Sequence, residues 1–167
     1  MLRFIQKLTV AIVLRVVHAA LIELMQLDSR AKQEFERLPE DMSYAIATGY
    51  GAPTLFVRWR GGRLERLAAL DAAVCTLAVK SLPLSFQLFT GQMGLAQAYA
   101  RHAFTLKGDV ADVMKLARLV NLTESYLFPP FITRRILTDI PRLEVNPLRV
   151  YGRIACGFLC NRYKLTH

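Results

Sequence analysis

The residues of this 167-residue chain that could do chemistry are few, and their spacing argues against a catalytic centre. His18 lies in an apolar segment, His102 follows Arg101 at the start of a strand-like segment, and His167 is the last residue. None belongs to an H-E-x-x-H helix or a comparable constellation. Ser85 lacks the flanking glycines of a nucleophile elbow. Asp109 and Asp112 are three apart, but Asp109 stands where a helix needs its cap. Gly61-Gly62 is not followed by G-K-[ST], so it is no phosphate loop. Cys156 and Cys160, four apart on one helix face, lack C-x-x-C spacing and have only His167 nearby, which gives no metal site. Cys75 falls in an apolar strand pattern as a small core residue. Three cysteines cannot complete an intramolecular disulfide framework, and a reducing cytoplasm fits them best. The expectation is a chain without catalytic residue, metal or cofactor.

What the composition offers instead is apolar surface. Hydrophobic residues make up 53% of the chain and its mean hydropathy is +0.27. That excess must face a large core, a ligand cavity or a membrane. The net charge of +9 is concentrated at the ends, residues 1–22 and 142–167 together supplying +7. Arg3, Lys7 and Arg15 near the start, and Arg149 and Arg153 near the end, are candidate contacts to an anionic membrane surface; a solubilising surface charge is the plainer reading. Residues 8–14 form an uncharged apolar run that Arg15 interrupts, short of the ~20 residues a span requires. A signal peptide would need an A-x-A-like site, and His18-Ala19-Ala20 only approaches one. An amphipathic helix lying on the body or on a membrane is the favoured form. The location expected is cytoplasmic, with peripheral membrane contact.

The elements follow from periodicity. Residues 2–27 read as one broadly apolar helix, and Ser29 as the cap of a polar helix over 30–38 closed by Pro39. Met42, Tyr44 and Ile46 alternate with Ser43, Ala45 and Ala47; Leu55, Val57 and Trp59 alternate with Phe56, Arg58 and Arg60. Gly61-Gly62 makes a hairpin turn that sets Arg58 opposite Glu65. Arg66 then shares a face with Val57 and Trp59, which calls for a bulge or a strand running past the core edge. Residues 73–80 form a fourth strand. Ser81 caps a helix beginning near Pro83, with Leu82, Phe86 and Phe89 in one stripe. Gly91 and Gly94 break it, and a short helix over 95–101 sets Leu95 and Tyr99 on one side. Phe104 and Leu106 point inward from a fifth strand, and Asp109 caps a helix lined by Val110, Val113, Ala117 and Val120. Helices over 131–139 and 148–162 complete the chain. Segregated strands and helices give an α+β fold: a five-stranded, mainly antiparallel sheet covered by helices, with additional N- and C-terminal helices. Residues 1–28 form the N-terminal helix, 29–120 the central domain, and 121–167 a helical extension packed on it.

The ordered features of residues 70–119 resemble the sterol-carrier-protein type 2 family. A strand leads to a helix with an apolar stripe, then to the turn Gly91-Gln92-Met93 and a short helix. A strand ending in Leu106-Lys107-Gly108-Asp109 follows, then a helix containing Met114-Lys115-Leu116. The resemblance covers about half of the chain. It implies a sheet-and-helix domain around an apolar tunnel that holds a fatty acid, phospholipid, sterol-like or isoprenoid ligand. One branch implies an accessory factor of ubiquinone biosynthesis that presents precursors to partner enzymes. Leu82, Phe86, Phe89, Met93, Leu95, Tyr99, Phe104, Val113 and Met114 are the candidate lipid-binding residues, since apolar cavities with adaptable Met and Phe linings suit such ligands. Two other classes compete. A scaffold would use the apolar ends to hold partner proteins. A nucleic-acid module would use Arg58, Arg60, Arg63 and Arg66 around Trp59, but Trp59 alternates inward with Val57, so no nucleic acid is expected.

Overall fold

Alternation over residues 42–79 becomes a sheet with one apolar face. The computed structural model describes residues 1–69, 73, 75–137 and 141–163, and the backbone of 165–166. Strands β1 (Met42–Ala47), β2 (Thr54–Arg60) and β3 (Arg63–Leu67) form an antiparallel meander. Gly61 and Gly62 take φ of +55° and +69°, the two left-handed positions that a tight type I′ hairpin requires. Strand β4 (Cys75–Val79) lies parallel to β1 on its other side, and β5 (Phe104–Lys107) closes that edge antiparallel to β4. The expected fourth strand over 73–80 includes position 74, which lies outside the described residues. A sixth, two-residue strand, β6 (Leu165–Thr166), pairs parallel with β3 and was not foreseen. The order is β5-β4-β1-β2-β3-β6.

The register puts Tyr44, Ile46, Leu55, Val57, Trp59, Cys75, Leu77 and Val79 on one face, all buried. Trp59 stacks on Phe35 with ring centroids 5.2 Å apart, so its faces are spent in the core. Arg58 stands opposite Glu65 as the hairpin predicts, and Arg66 opposite Val57. Pairing runs without a break from Phe56–Leu67 to Arg60–Arg63, so no bulge is present. Arg66 stays on the inner face near the sheet margin, where burial and the neighbouring Arg15 lower its proton affinity.

Helix α1 (Leu2–Leu27) buries Val10, Leu14, Val17, Leu21 and Leu24 at helical spacing and packs against β2 and β3. Its apolar stretch is long enough to cross a membrane by length and composition, yet half of that stretch is buried in the protein. Helix α2 (Ser29–Glu36) is capped by Asp28, not Ser29: the Asp28 carboxylate accepts the Arg30 and Ala31 N–H groups at 2.9 and 3.3 Å. Ser29 is free to donate to Glu144, through its hydroxyl at 2.7 Å and its N–H at 2.8 Å. The helix ends at Glu36, short of Leu38.

Helices α3 (Leu82–Phe89), α4 (Leu95–Ala100) and α5 (Val110–Leu127) follow the predicted order, with Ser81 and Asp109 as caps. Helices α6 (Pro130–Ile136) and α7 (Pro147–Leu159) complete the fold, both starting at proline. The expected helix over 131–139 extends into residues 138–140, which lie outside the described set. Helix α5 runs unbroken through Val120 and contacts α1, β4, β5 and α7, so it joins the two halves of the helical layer.

Candidate functional site

An apolar pocket of about 460 Å³ opens between α4, α5 and the β4–β5 edge of the sheet. Leu77 and Leu106, cross-strand partners, form its floor. Leu95 and Tyr99 come from α4, Phe104 from β5, and Val113, Met114 and Ala117 from α5. The local sequence places these walls. Gly108 (φ +96°) ends β5, and the Asp109 carboxylate accepts the Ala111 N–H at 2.7 Å, so α5 starts at once and leans over the strand edge. Gly94, which begins α4, lies so close to α6 that an added Cβ would stand 1.9 Å from the Ile136 carbonyl oxygen. Only glycine lets α4 sit there.

Tyr99 is 69% exposed and Val110 63%, and with Met114 they form an apolar mouth. Tyr99 and Phe104 have ring centroids 6.0 Å apart. The polar lining consists of Arg118 and Asn121. Arg118 donates from Nε to Glu34 at 3.0 Å. The Asn121 side chain lines the pocket, and its Oδ1 is buried without a hydrogen-bond partner.

Five of the nine residues expected to touch lipid meet in this pocket: Leu95, Tyr99, Phe104, Val113 and Met114. The other four do not line it. Met93 is buried in the core, Phe86 is half-buried against that core, and Phe89 lines a second cavity. Leu82 borders a surface hollow at the start of α1. The turn through Gly91 (φ +71°) separates Leu82, Phe86 and Phe89 from the α4 set, and Met93 lies in that turn. Sequence reasoning missed Arg118 and Asn121. Asn121 follows Ala117 by one helical turn, so a polar residue continuing an apolar stripe was the available signal.

The second cavity, about 200 Å³, is walled by Val13, Val16 and Val17 of α1, Phe89 of α3, Tyr151 of α7, and Val120, Glu124 and Leu127 of α5, with Phe128 beyond. Glu124 is 5% exposed, and its Oε2 has no hydrogen-bond partner. Burial pushes its carboxyl up to about 8, so the group is mainly neutral at pH 7. His18 is also buried; burial and the nearby Arg66 outweigh a backbone contact to Leu64 and bring it down to about 4, so it is a neutral core imidazole.

One network ties the C-terminal segment to α1, and a second ties the α1–α2 junction to α5. Glu23, fully buried, accepts from Arg153, from Arg162 at 2.9 Å and from the Tyr163 hydroxyl at 2.8 Å. Burial alone would raise the Glu23 carboxyl, but these donors outweigh it and hold the group below the usual carboxylate range. Asp28 is treated likewise by Arg30 and by Tyr126, whose hydroxyl donates at 2.6 Å. Arg153, expected at a membrane, is instead engaged by Glu23 and Gln26. Arg3, Lys7, Arg15 and Arg149 are exposed.

The N-terminal half of α1 leaves Leu2, Phe4, Ile5, Leu8 and Ile12 exposed. Beside them Arg3, Lys7, Tyr50, Lys80 and Pro83 border a hollow of about 520 Å³. The surface is apolar and basic, and no acidic residue lines that hollow. Among the described residues no group of three or more His, Cys, Asp or Glu could hold a metal ion. Cys156 and Cys160 are exposed free thiols with sulfurs 3.9 Å apart, and His167 lies outside the described residues.

No protein-family model matches the chain, and no curated protein matches it. Among solved structures it is similar to one described as a UbiJ-SCP2 ubiquinone synthesis protein, at 16% identity and a TM-score of 0.45, over 65% of this chain and 96% of that one. It is also similar to sterol carrier protein 2 like 2 from Aedes aegypti, at 16% identity and a TM-score of 0.36, over 57% of this chain and 94% of the other.

Proposed function

We propose that this chain is a non-catalytic lipid-binding protein that shelters the apolar part of its ligand in the pocket between α4, α5 and the β4–β5 edge. The observation that carries the reading is that pocket: about 460 Å³, walled by apolar side chains from four elements, with an apolar mouth. That is the size and lining of a small-molecule site. Each methylene moved into it from water contributes about 0.8 kcal/mol, so chain length sets affinity and the pocket needs no charged anchor. The sequence resemblance supports the same class of ligand: fatty acid, phospholipid, sterol-like or isoprenoid.

Ala117→Trp places an indole inside the pocket. It is expected to weaken uptake of a fluorescent fatty acid or phospholipid at least about tenfold, the loss of roughly two buried methylenes. Fluorescence titration checks the uptake, and circular dichroism checks that the variant is folded. Unchanged affinity in a folded variant would remove the pocket from the proposal.

A second reading follows from Asn121. Its buried Oδ1 is without a hydrogen-bond partner, and a small side-chain turn toward the pocket would let it accept a bond that a hydrocarbon chain cannot donate but a phenol hydroxyl can. This favours a polyprenylated phenol, as an accessory factor presenting quinone precursors to separate enzymes would hold. Lipid analysis of the purified protein separates the readings.

The basic, apolar start of α1 is the docking surface in this scheme, from which a ligand would be exchanged with a membrane. Arg3→Gln with Lys7→Gln is expected to weaken binding to anionic vesicles by about 2 kcal/mol, roughly thirtyfold, and to leave weak binding to neutral vesicles as it is. Liposome flotation at two salt concentrations reads this out. Equal flotation of the variant and the parent on anionic vesicles would sink the docking role.

A further inference from the structure

We infer that the cavity around Glu124 is a second ligand site, one that takes a small neutral ring or short chain bearing a hydrogen-bond-accepting oxygen, with the Glu124 carboxyl as the donor. It shares no lining residue with the pocket between α4 and α5, so it stands apart from the function proposed there.

The geometry makes the case. A buried carboxyl oxygen without a partner forfeits the hydrogen bonds it had in water, and native proteins leave few such groups. The carboxyl that carries it, Glu124, lines a cavity of about 200 Å³ whose other walls are valine, leucine and aromatic side chains from α1, α3, α5 and α7. An apolar cavity of about 150 Å³ is enough to hold benzene. The volume here therefore accepts one ring with a short substituent. Tyr151 is the other titratable residue in the lining, and its hydroxyl is committed to the Leu127 carbonyl at 2.8 Å. Glu124 is thus the polar group left to meet a ligand, and only an un-ionised carboxyl has a hydrogen to give. No charged side chain acts on it from α1, α3 or α7, and burial alone keeps it neutral. A neighbouring groove of about 380 Å³ beside α6 and α7 shares Phe128 and Tyr151 with the cavity.

The discriminating pair of probes is acetophenone and ethylbenzene, nearly equal in shape and differing in one acceptor oxygen. Wild-type protein, titrated by calorimetry or ligand-observed NMR at pH 6.5, is expected to bind acetophenone about tenfold tighter, the effect of one well-made hydrogen bond. The infrared carbonyl stretch of bound acetophenone should move to lower frequency relative to the same ligand in an apolar solvent. Glu124→Leu should bind the two probes alike. Glu124→Gln, whose amide still donates, should keep the preference. Ala117→Trp, which fills the other pocket, should leave acetophenone binding unchanged. No binding of either probe by wild type, equal binding of both, or loss of acetophenone binding in Ala117→Trp would each overturn the proposal. The wild-type comparison decides the matter even if Glu124→Leu does not fold. Failure of lipid uptake in Ala117→Trp bears only on the first pocket.

Discussion

Glu23→Ala should lower the unfolding free energy by about 3 kcal/mol, which for a chain of this size is a fall in Tm of roughly 6–12 °C. Glu23 is fully buried on α1 and gathers Arg153 of α7 with Arg162 and Tyr163 of the segment beyond. Removing one partner of a buried ion pair costs about 3–5 kcal/mol, mostly through the partners left without it. Here the two guanidiniums are 35% and 48% exposed and can turn to water, which places the cost at the lower end. The Tyr163 ring is wedged against Gly157, where an added Cβ would stand 2.2 Å from the phenol oxygen, so its hydroxyl cannot turn to water and keeps only the long contact to the Arg153 carbonyl at 3.5 Å. The α7 anchor on α1 is thereby released. Glu36→Ala is the control: its exposed pair with Lys32, at 4.0 Å, should be worth less than about 0.5 kcal/mol. Urea denaturation of the three proteins measures both. A Glu23→Ala loss no larger than that of Glu36→Ala would show that the C-terminal segment is not held in this way. Because Glu23 titrates below its ordinary 4.5 in the fold, its contribution is present above that pH and lost as pH falls through the folded value.

The second large effect is a pH dependence set by two buried groups of opposite sign. Glu124 titrates near 8 in the folded protein against 4.5 ordinarily. Between those values the native state holds a proton that the unfolded state has released, so stability falls as pH rises, by up to about 1.4 kcal/mol per unit. His18 titrates near 4 against 6.5. Between those values the unfolded state holds the extra proton, so stability rises with pH. The two oppose each other from 4.5 to 6.5, and above 6.5 Glu124 acts alone until about 8. Glu124→Gln removes one member. Its stability should therefore gain on wild type continuously from pH 4.5 to 8, by as much as about 5 kcal/mol in total. Denaturation midpoints at half-unit steps give the difference curve. A variant that parallels wild type throughout would mean that Glu124 is ionised or hydrated in the folded protein.

Local rules carried the sequence reading a long way. Ser81, Asp109, Gly61-Gly62 and Gly108 act on their immediate neighbours, and each does in the fold what its chemistry prescribes. The alternation in β1, β2 and β4 identified the buried sheet face for the same reason. Ser29 misled because Asp28, one residue earlier, competes for the same N–H groups with a full charge, and Ser29 has a better use in Glu144. The site was legible in part. Leu95, Tyr99, Phe104, Val113 and Met114 converge because they lie on consecutive short elements around one strand edge. Leu82, Phe86, Phe89 and Met93 have the same residue types, but the first three lie on α3 before the turn at Gly91 and Met93 is buried within the turn, and apolar composition says nothing of direction. Glu23 and Glu124 were not legible as network and cavity residues. Their surroundings come from across the chain: Arg153 and Tyr163 for Glu23, Val13 and Tyr151 for Glu124.

The central claim is that this protein holds a lipid between α4, α5 and the sheet edge. Native mass spectrometry of freshly purified wild type and Ala117→Trp, followed by organic extraction and lipid analysis, tests it most directly. A bound lipid at one-to-one stoichiometry in wild type, lost in the folded variant, is the result the account predicts, and the extracted head would separate a phospholipid or fatty acid from a prenylated phenol. Wild type that arrives empty and takes up neither fatty acid, phospholipid nor prenylated phenol, or a variant that carries the same lipid as wild type, would contradict it.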